Sequence, residues 1–139
     1  MLLLDTHVWV WTLEGDSRRI GRRTRTLIAR AEADGQLRVS PVSLFEVAAL
    51  HTLGRLRLSR ALHEWIRDAL GGAGIAVAPL SPASAADAGM IPREALADPI
   101  DRLLVATARD VEATLLTSDR RILDYAARQR TVRVHDAGR

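Results

Sequence analysis

The sequence predicts an α/β fold, a three-layer α/β/α sandwich around a central, mainly parallel five-stranded sheet. Two features carry that expectation. Short apolar runs recur along the chain (MLLLDT, LRVS, IAVAPL, ATLLTS and VRVHDA), and the segments between them have helical character, punctuated by glycine, proline, serine and aspartate. Strands that alternate with helices pair in parallel through right-handed crossovers, which leaves helices on both faces of one sheet. The chain has 139 residues, 47% of them hydrophobic, which suits one domain able to bury roughly two thirds of its unfolded surface. No repeat, linker or low-complexity tract divides it, so residues 1–139 are expected to form a single domain.

Each element has its own signal. MLLLD is apolar up to its last residue, the pattern of a strand buried on both faces. Residues after His7 to about Leu13 read as a short helix closed by Gly15. Asp16 or Ser17 then caps a longer, Arg-rich helix that runs to about Asp34 and stops at Gly35. A second strand is expected over Leu37 to Ser40. Pro41 suits the N-terminus of a helix through VSLFEVAALHTLG, with Val42, Phe45, Leu50 and Leu53 available for burial, Glu46 in its first or second turn and Gly54 as its stop. A further helix is expected from Ser59 to about Leu70, ended by Gly71 and Gly72, and the alternating IAVAPL gives a third strand. Ser81 and Pro82 restart a helix. Pro99 biases Asp98 away from helix, and Asp101 falls near the N-terminus of the helix RLLVATARD. ATLLTS is the fourth strand, Asp119 opens the last helix, and VRVHDA is a fifth strand at an edge.

Composition removes several chemistries. Cysteine is absent, which excludes disulfides, thiolate zinc sites and cysteine nucleophiles. Lysine is absent too, so all 20 basic residues are Arg, and phosphate loops or Schiff-base sites that need a lysine are excluded. With so little titrating between His and Arg, a formal charge of only +3 sets the isoelectric point near 10.8, so net charge alone says little about nucleic acid. The cluster Arg18, Arg19, Arg22, Arg23 and Arg25 says more, because guanidinium groups bind phosphates bidentately; a solvated helix face is the alternative. No apolar run approaches the roughly 20 residues of a membrane span, and MLLLDTHVWVW is interrupted by Asp5 and His7 without a basic flank, so a cytoplasmic protein is expected.

Four carboxylates, Asp5, Glu46, Asp101 and Asp119, each sit where an apolar run meets a turn or a helix. In an open α/β sheet the crevice lies beyond the carboxyl ends of the strands, and Asp5 and Asp119 follow two of them. Converging acids raise one another's pKa, and a hard divalent cation with oxygen ligands relieves them. Taken singly, Asp101 and Asp119 have a simpler reading as helix N-caps, and Glu46 as a surface residue. Asp5 resists such a reading, because an acid directly after a buried strand must be solvated, paired or metal-bound. His7 reads as a hydrogen-bonding neighbour.

DTHVWVW at the start, SLFE at 43–46, ADPIDRLLVATA at 97–108 and LLTSD at 115–119, in this order and spacing, resemble a PIN-domain protein, specifically a VapC-type ribonuclease toxin of a type II toxin–antitoxin pair. The resemblance spans nearly the whole chain. It implies that Asp5, Glu46, Asp101 and Asp119 form the catalytic, metal-binding set, with Asp98 as an additional acid and Ser43 and Thr117 as supporting hydroxyls. The DPxDR form offers both Asp98 and Asp101 as the nearer ligand; Asp101 is favoured because it opens the helix.

The resemblance further implies one or two Mg²⁺ or Mn²⁺ ions, hydrolysis of RNA to 5′-phosphate and 3′-hydroxyl ends by an activated water, and Glu46 as a ligand or base. It implies a VapB-type antitoxin that covers the toxin and binds operator DNA, and a toxin homodimer. Trp9 and Trp11 on the first helix are open to two roles, an aromatic anchor for the antitoxin or part of the core. A metal-dependent DNA nuclease or phosphatase on the same acids, and a non-catalytic PIN-like binding module, are the alternatives.

Overall fold

In the computed structural model, which describes residues 1–72 and 74–139, the strands are β1 (Leu2–Leu4), β2 (Leu37–Val39), β3 (Ile75–Val77), β4 (Thr114–Thr117) and β5 (Arg133–Asp136). They form one sheet in the order β3-β2-β1-β4-β5, and every pairing is parallel. The helices are α1 (Thr6–Glu14), α2 (Arg22–Ala33), α3 (Pro41–Thr52), α4 (Leu62–Leu70), α5 (Pro82–Met90), α6 (Pro99–Asp110) and α7 (Arg120–Gln129).

Successive strand side chains point to opposite faces, so the central strands feed two cores. Leu4 and Leu116 join Val8 and Trp9 of α1, Ile28 of α2, Val47 of α3 and Trp65 of α4. Leu3 and Leu115 join Leu104 and Val105 of α6 and Ile122 and Tyr125 of α7 on the other face. Complete burial of each such leucine contributes about 1.5–3 kcal/mol, which is why β1 and β4 are apolar without alternation. This is the three-layer α/β/α arrangement the sequence predicts.

The chain passes from β1 to β2 to β3 in one direction and then returns to place β4 on the other side of β1. The order reverses between β1 and β4, and a crevice opens at their carboxyl ends. The Asp5 N–H donates to the Leu116 carbonyl at 2.9 Å, which fixes the residue after β1 against the end of β4.

Several boundaries differ from the sequence reading. Asp16 and Ser17 do not open the long helix; Ser17–Arg19 is a single 3₁₀ turn, and α2 starts at Arg22. Ile20 between them is extended and buried, and a continuous helix would not deliver that side chain to the core. Gly21 caps α2 with no side chain of its own. Its N–H donates to the Ala137 carbonyl at 2.8 Å, the Thr24 N–H donates to the Arg139 oxygen at 3.0 Å, and a Cβ on Gly21 would collide with Arg139.

Helix α4 begins at Leu62 rather than Ser59, because the Ser59 N–H and hydroxyl both donate to Glu14 at 3.1 and 3.2 Å and hold that residue outside the helix. The third strand ends at Val77, short of the expected Leu80. On α3, Val42 is buried, but Phe45 and Leu53 are 65% and 67% exposed, contrary to the burial expected of them. Among the described residues no helix is long and apolar enough to cross a membrane.

Candidate active site

Asp5 ends β1 and caps α1: its Oδ1 accepts the Thr6 N–H at 2.7 Å and its Oδ2 accepts the Thr117 hydroxyl at 2.6 Å. The same Thr117 oxygen accepts the Asp119 N–H at 3.0 Å, so one hydroxyl at the end of β4 holds two acids in register. Thr6 donates its own hydroxyl to Ser43 at 3.0 Å, tying α1 to α3 one turn before Glu46. The hydroxyls of Ser43 and Thr117 are both fully buried.

Asp98, not Asp101, caps α6, with its Oδ1 accepting the Ile100 N–H at 2.8 Å. The N-cap reading of Asp101, and the argument that it opens the helix, are therefore corrected: the residue before Pro99 has the extended backbone that capping needs. Asp101 sits in the first turn with 7% of its surface exposed, and its Oδ2 has no hydrogen-bond partner. Asp119 does cap its helix, accepting the Arg121 N–H at 2.8 Å. All these acids line one cavity of about 270 Å³, together with Glu46, His7, Trp11, Ser118 and Arg121.

The electrostatics follow from that crowding. Asp101 is pushed up to about 7 by burial first and then by the neighbouring charges of Asp98, Asp119 and Asp5, with Arg121 opposing. Asp5 is also raised, chiefly by burial, against the hydrogen bonds from Thr117 and Thr6, with Glu46 adding repulsion. An isolated buried carboxylate oxygen and a ring of like charges form an environment that a cation stabilises.

The carboxylate oxygens are the donor type that suits a hard divalent ion, and the buried Asp101 Oδ2 without a partner is an atom such an ion would satisfy. Among the described residues no three carboxylate or imidazole groups stand close enough to grip a single ion in this arrangement. The acids ring the cavity, and three of them, Asp5, Asp98 and Asp119, turn an oxygen to a backbone N–H.

The tryptophans divide. Trp9 is in the core, packed edge-on against Trp65 at 5.0 Å, which removes it as a surface anchor. Trp11 is half-buried, lines the acid cavity and a second, mainly apolar cavity between α1 and α2, and has the Arg19 guanidinium 5.4 Å above its ring. Of the Arg cluster, Arg25 turns back to the carbonyls of Ser17 and Ile20 at 2.8 and 2.9 Å, so it braces the 3₁₀ turn. Sequence reasoning missed Thr6 and Arg121. Thr6 carried a signal, a hydroxyl directly after the acid that ends β1; Arg121 sat inside a chain rich in arginine and carried none.

Comparison with known proteins agrees with this geometry. Residues 2–128 match the profile of the PIN domain family. The chain is 31% identical over 124 residues to Ribonuclease VapC22 of Mycobacterium tuberculosis, covering 89% of this chain and 91% of that protein. Its fold is similar to chains in the crystal structures of VapBC2 from Rickettsia felis bound to a DNA fragment from their promoter (TM-score 0.66, 13% identity, 97% of each chain covered) and of DNA-bound VapBC from Salmonella typhimurium (TM-score 0.66, 18% identity, 97% and 96% covered). The acid-lined crevice at the ends of β1 and β4 is thus that of a chain that belongs to the PIN domain family, among its VapC-type members.

Proposed function

We propose that the protein is a metal-dependent endoribonuclease, the toxin of a VapBC-type toxin–antitoxin pair. The observation that carries this reading is the buried, unpartnered Asp101 oxygen in a cavity ringed by Asp5, Glu46, Asp98 and Asp119. The relative named Ribonuclease VapC22 supports RNA as the substrate class.

Asp5, Asp101 and Asp119 would hold Mg²⁺ or Mn²⁺, with Glu46 as a further ligand. Such an ion, when bound, supplies Lewis-acid activation of a water and neutralises charge on the phosphodiester oxygens. The chain's own residues do the rest. Thr117 orients Asp5 and places the Asp119 backbone, and Ser43 fixes Thr6 beside them. Asp98 caps α6, and Asp101, whose buried Oδ2 has no hydrogen-bond partner, is the nearer ligand of the two. Glu46 is half-buried at the cavity wall and free to take a proton from the attacking water.

The structurally similar chains come from VapBC complexes bound to DNA, in one case a promoter fragment, which supports a VapB-type antitoxin as partner and operator DNA bound through it. Trp11 and the apolar cavity between α1 and α2 are the surface we assign to that antitoxin. Phe45 on α3 and Leu53 at its C-terminal cap, both left exposed, support a homodimer.

The reading is tested by incubating the purified chain with a structured RNA, DNA of the same sequence and an aryl phosphate, in Mg²⁺ or Mn²⁺ and then in EDTA. RNA alone should be cut, and only with metal. Turnover of DNA or aryl phosphate with intact RNA would replace the ribonuclease by a different phosphoesterase on the same acids.

A further inference from the structure

Among the described residues Arg121 is the one guanidinium that lines the acid cavity, alongside five carboxylates, His7, Trp11 and Ser118. It lies in the first turn of α7, where the helix dipole disfavours a cation. Its Nε and Nη2 reach the two Asp119 oxygens at 3.3 Å each, a forked but long pairing, and its side chain is 73% exposed. Exposed pairs of this kind exchange easily. Asp119 is its main partner, and the charges of Asp101 and Asp98 add to the attraction.

We propose that Arg121 is a substrate-contacting residue, resting on Asp119 in the free protein and moving to the non-bridging oxygens of the phosphodiester once a divalent cation takes up the acids. This rests on the metal-dependent reading above. A cation that claims Asp119 removes the anion that Arg121 pairs with, and the nearest new anion is the phosphate brought to the same cavity. A guanidinium fork matches two phosphate oxygens, as it matches two carboxylate oxygens here. The exchange makes Arg121 a competitor of the metal before substrate arrives and a clamp on the substrate afterwards.

The test pairs Mn²⁺ affinity, followed by the electron paramagnetic resonance of free Mn²⁺, with RNA-cleavage kinetics for wild type, Arg121→Gln and Arg121→Lys. Arg121→Gln should bind Mn²⁺ about threefold more tightly, since a weak competing pair is gone, while its KM for RNA rises about tenfold and kcat changes less. Arg121→Lys should keep wild-type Mn²⁺ affinity but recover only part of the KM, because an ammonium cannot form the fork. If wild type binds Mn²⁺ and cleaves RNA while Arg121→Gln matches it in Mn²⁺ affinity and KM, Arg121 is a surface charge only and the inference falls by itself. If wild type binds no Mn²⁺, the metal site falls and this inference with it.

Discussion

The Thr117 hydroxyl donates to Asp5 Oδ2 at 2.6 Å while accepting the Asp119 N–H at 3.0 Å, so the last residue of β4 couples the acid after β1 to the acid that opens α7. The linkage is fully buried at Thr117, where no water can replace it.

Thr117→Val keeps the shape and removes the donor. It should cost about 1–3 kcal/mol of stability, because a buried carboxylate oxygen and an N–H lose their partner, and it should raise the Asp5 pKa further. Activity should fall about 10–100-fold, the effect typical of groups that orient metal ligands, and Thr117→Ser should restore most of it. Urea unfolding and cleavage kinetics on the three proteins check this.

Asp101 makes the metal-free protein pH-sensitive. Burial and the neighbouring acids hold its folded pKa at about 7, well above the ordinary carboxylate range, so the native state binds the extra proton, and the stability this contributes is complete below about pH 4 and lost as pH rises through 7. In EDTA, Asp101→Asn should flatten that fall and unfold at higher urea than wild type near pH 7.5, and in Mg²⁺ or Mn²⁺ it should abolish cleavage. A variant less stable than wild type there would mean that Asp101 is satisfied by contacts other than a cation.

Trp9 and Trp11 should separate in thermal unfolding. Trp9→Ala empties a core position against Trp65 and should cost about 3–5 kcal/mol. Trp11→Ala should cost far less and instead weaken antitoxin binding by about 2 kcal/mol, read by calorimetry with the cognate antitoxin. Equal losses of stability would place both in the core.

Gly21→Ala should destabilise the protein by about 1–3 kcal/mol, because the added methyl collides with Arg139 and breaks the contacts from Gly21 and Thr24 to the C-terminal segment. Deleting Gly138 and Arg139 should cost a similar amount, and the two changes together should cost less than their sum, since both remove the same contacts. Additive losses in urea unfolding would show that Gly21 acts elsewhere.

The parts of the fold legible in the sequence are those where one physical signal dominates. MLLLD and TLLT are apolar without alternation because both faces are covered, and the acids that end them had to lie at the sheet's carboxyl edge. Capping of α6 was ambiguous because Asp98 and Asp101 are both near the helix start, and the backbone torsion that chooses between them shows only in three dimensions. The break before α2 depends on burying Ile20, a long-range contact with no local signature. Phe45 and Leu53 look like core residues by composition yet face outward, and no local signal in the sequence separates them from the buried Val42.

We propose a metal-dependent ribonuclease centre at the acids around Asp5 and Asp101. Its most direct test is cleavage of structured RNA by wild type and Asp5→Asn, purified identically and free of antitoxin, in Mg²⁺ or Mn²⁺ and in EDTA. The account predicts cleavage by wild type that EDTA abolishes and metal restores, and a loss of at least about 100-fold in Asp5→Asn, since a ligand should matter more than the groups that orient it. Equal cleavage by the two proteins, or none by either in any metal, would contradict it.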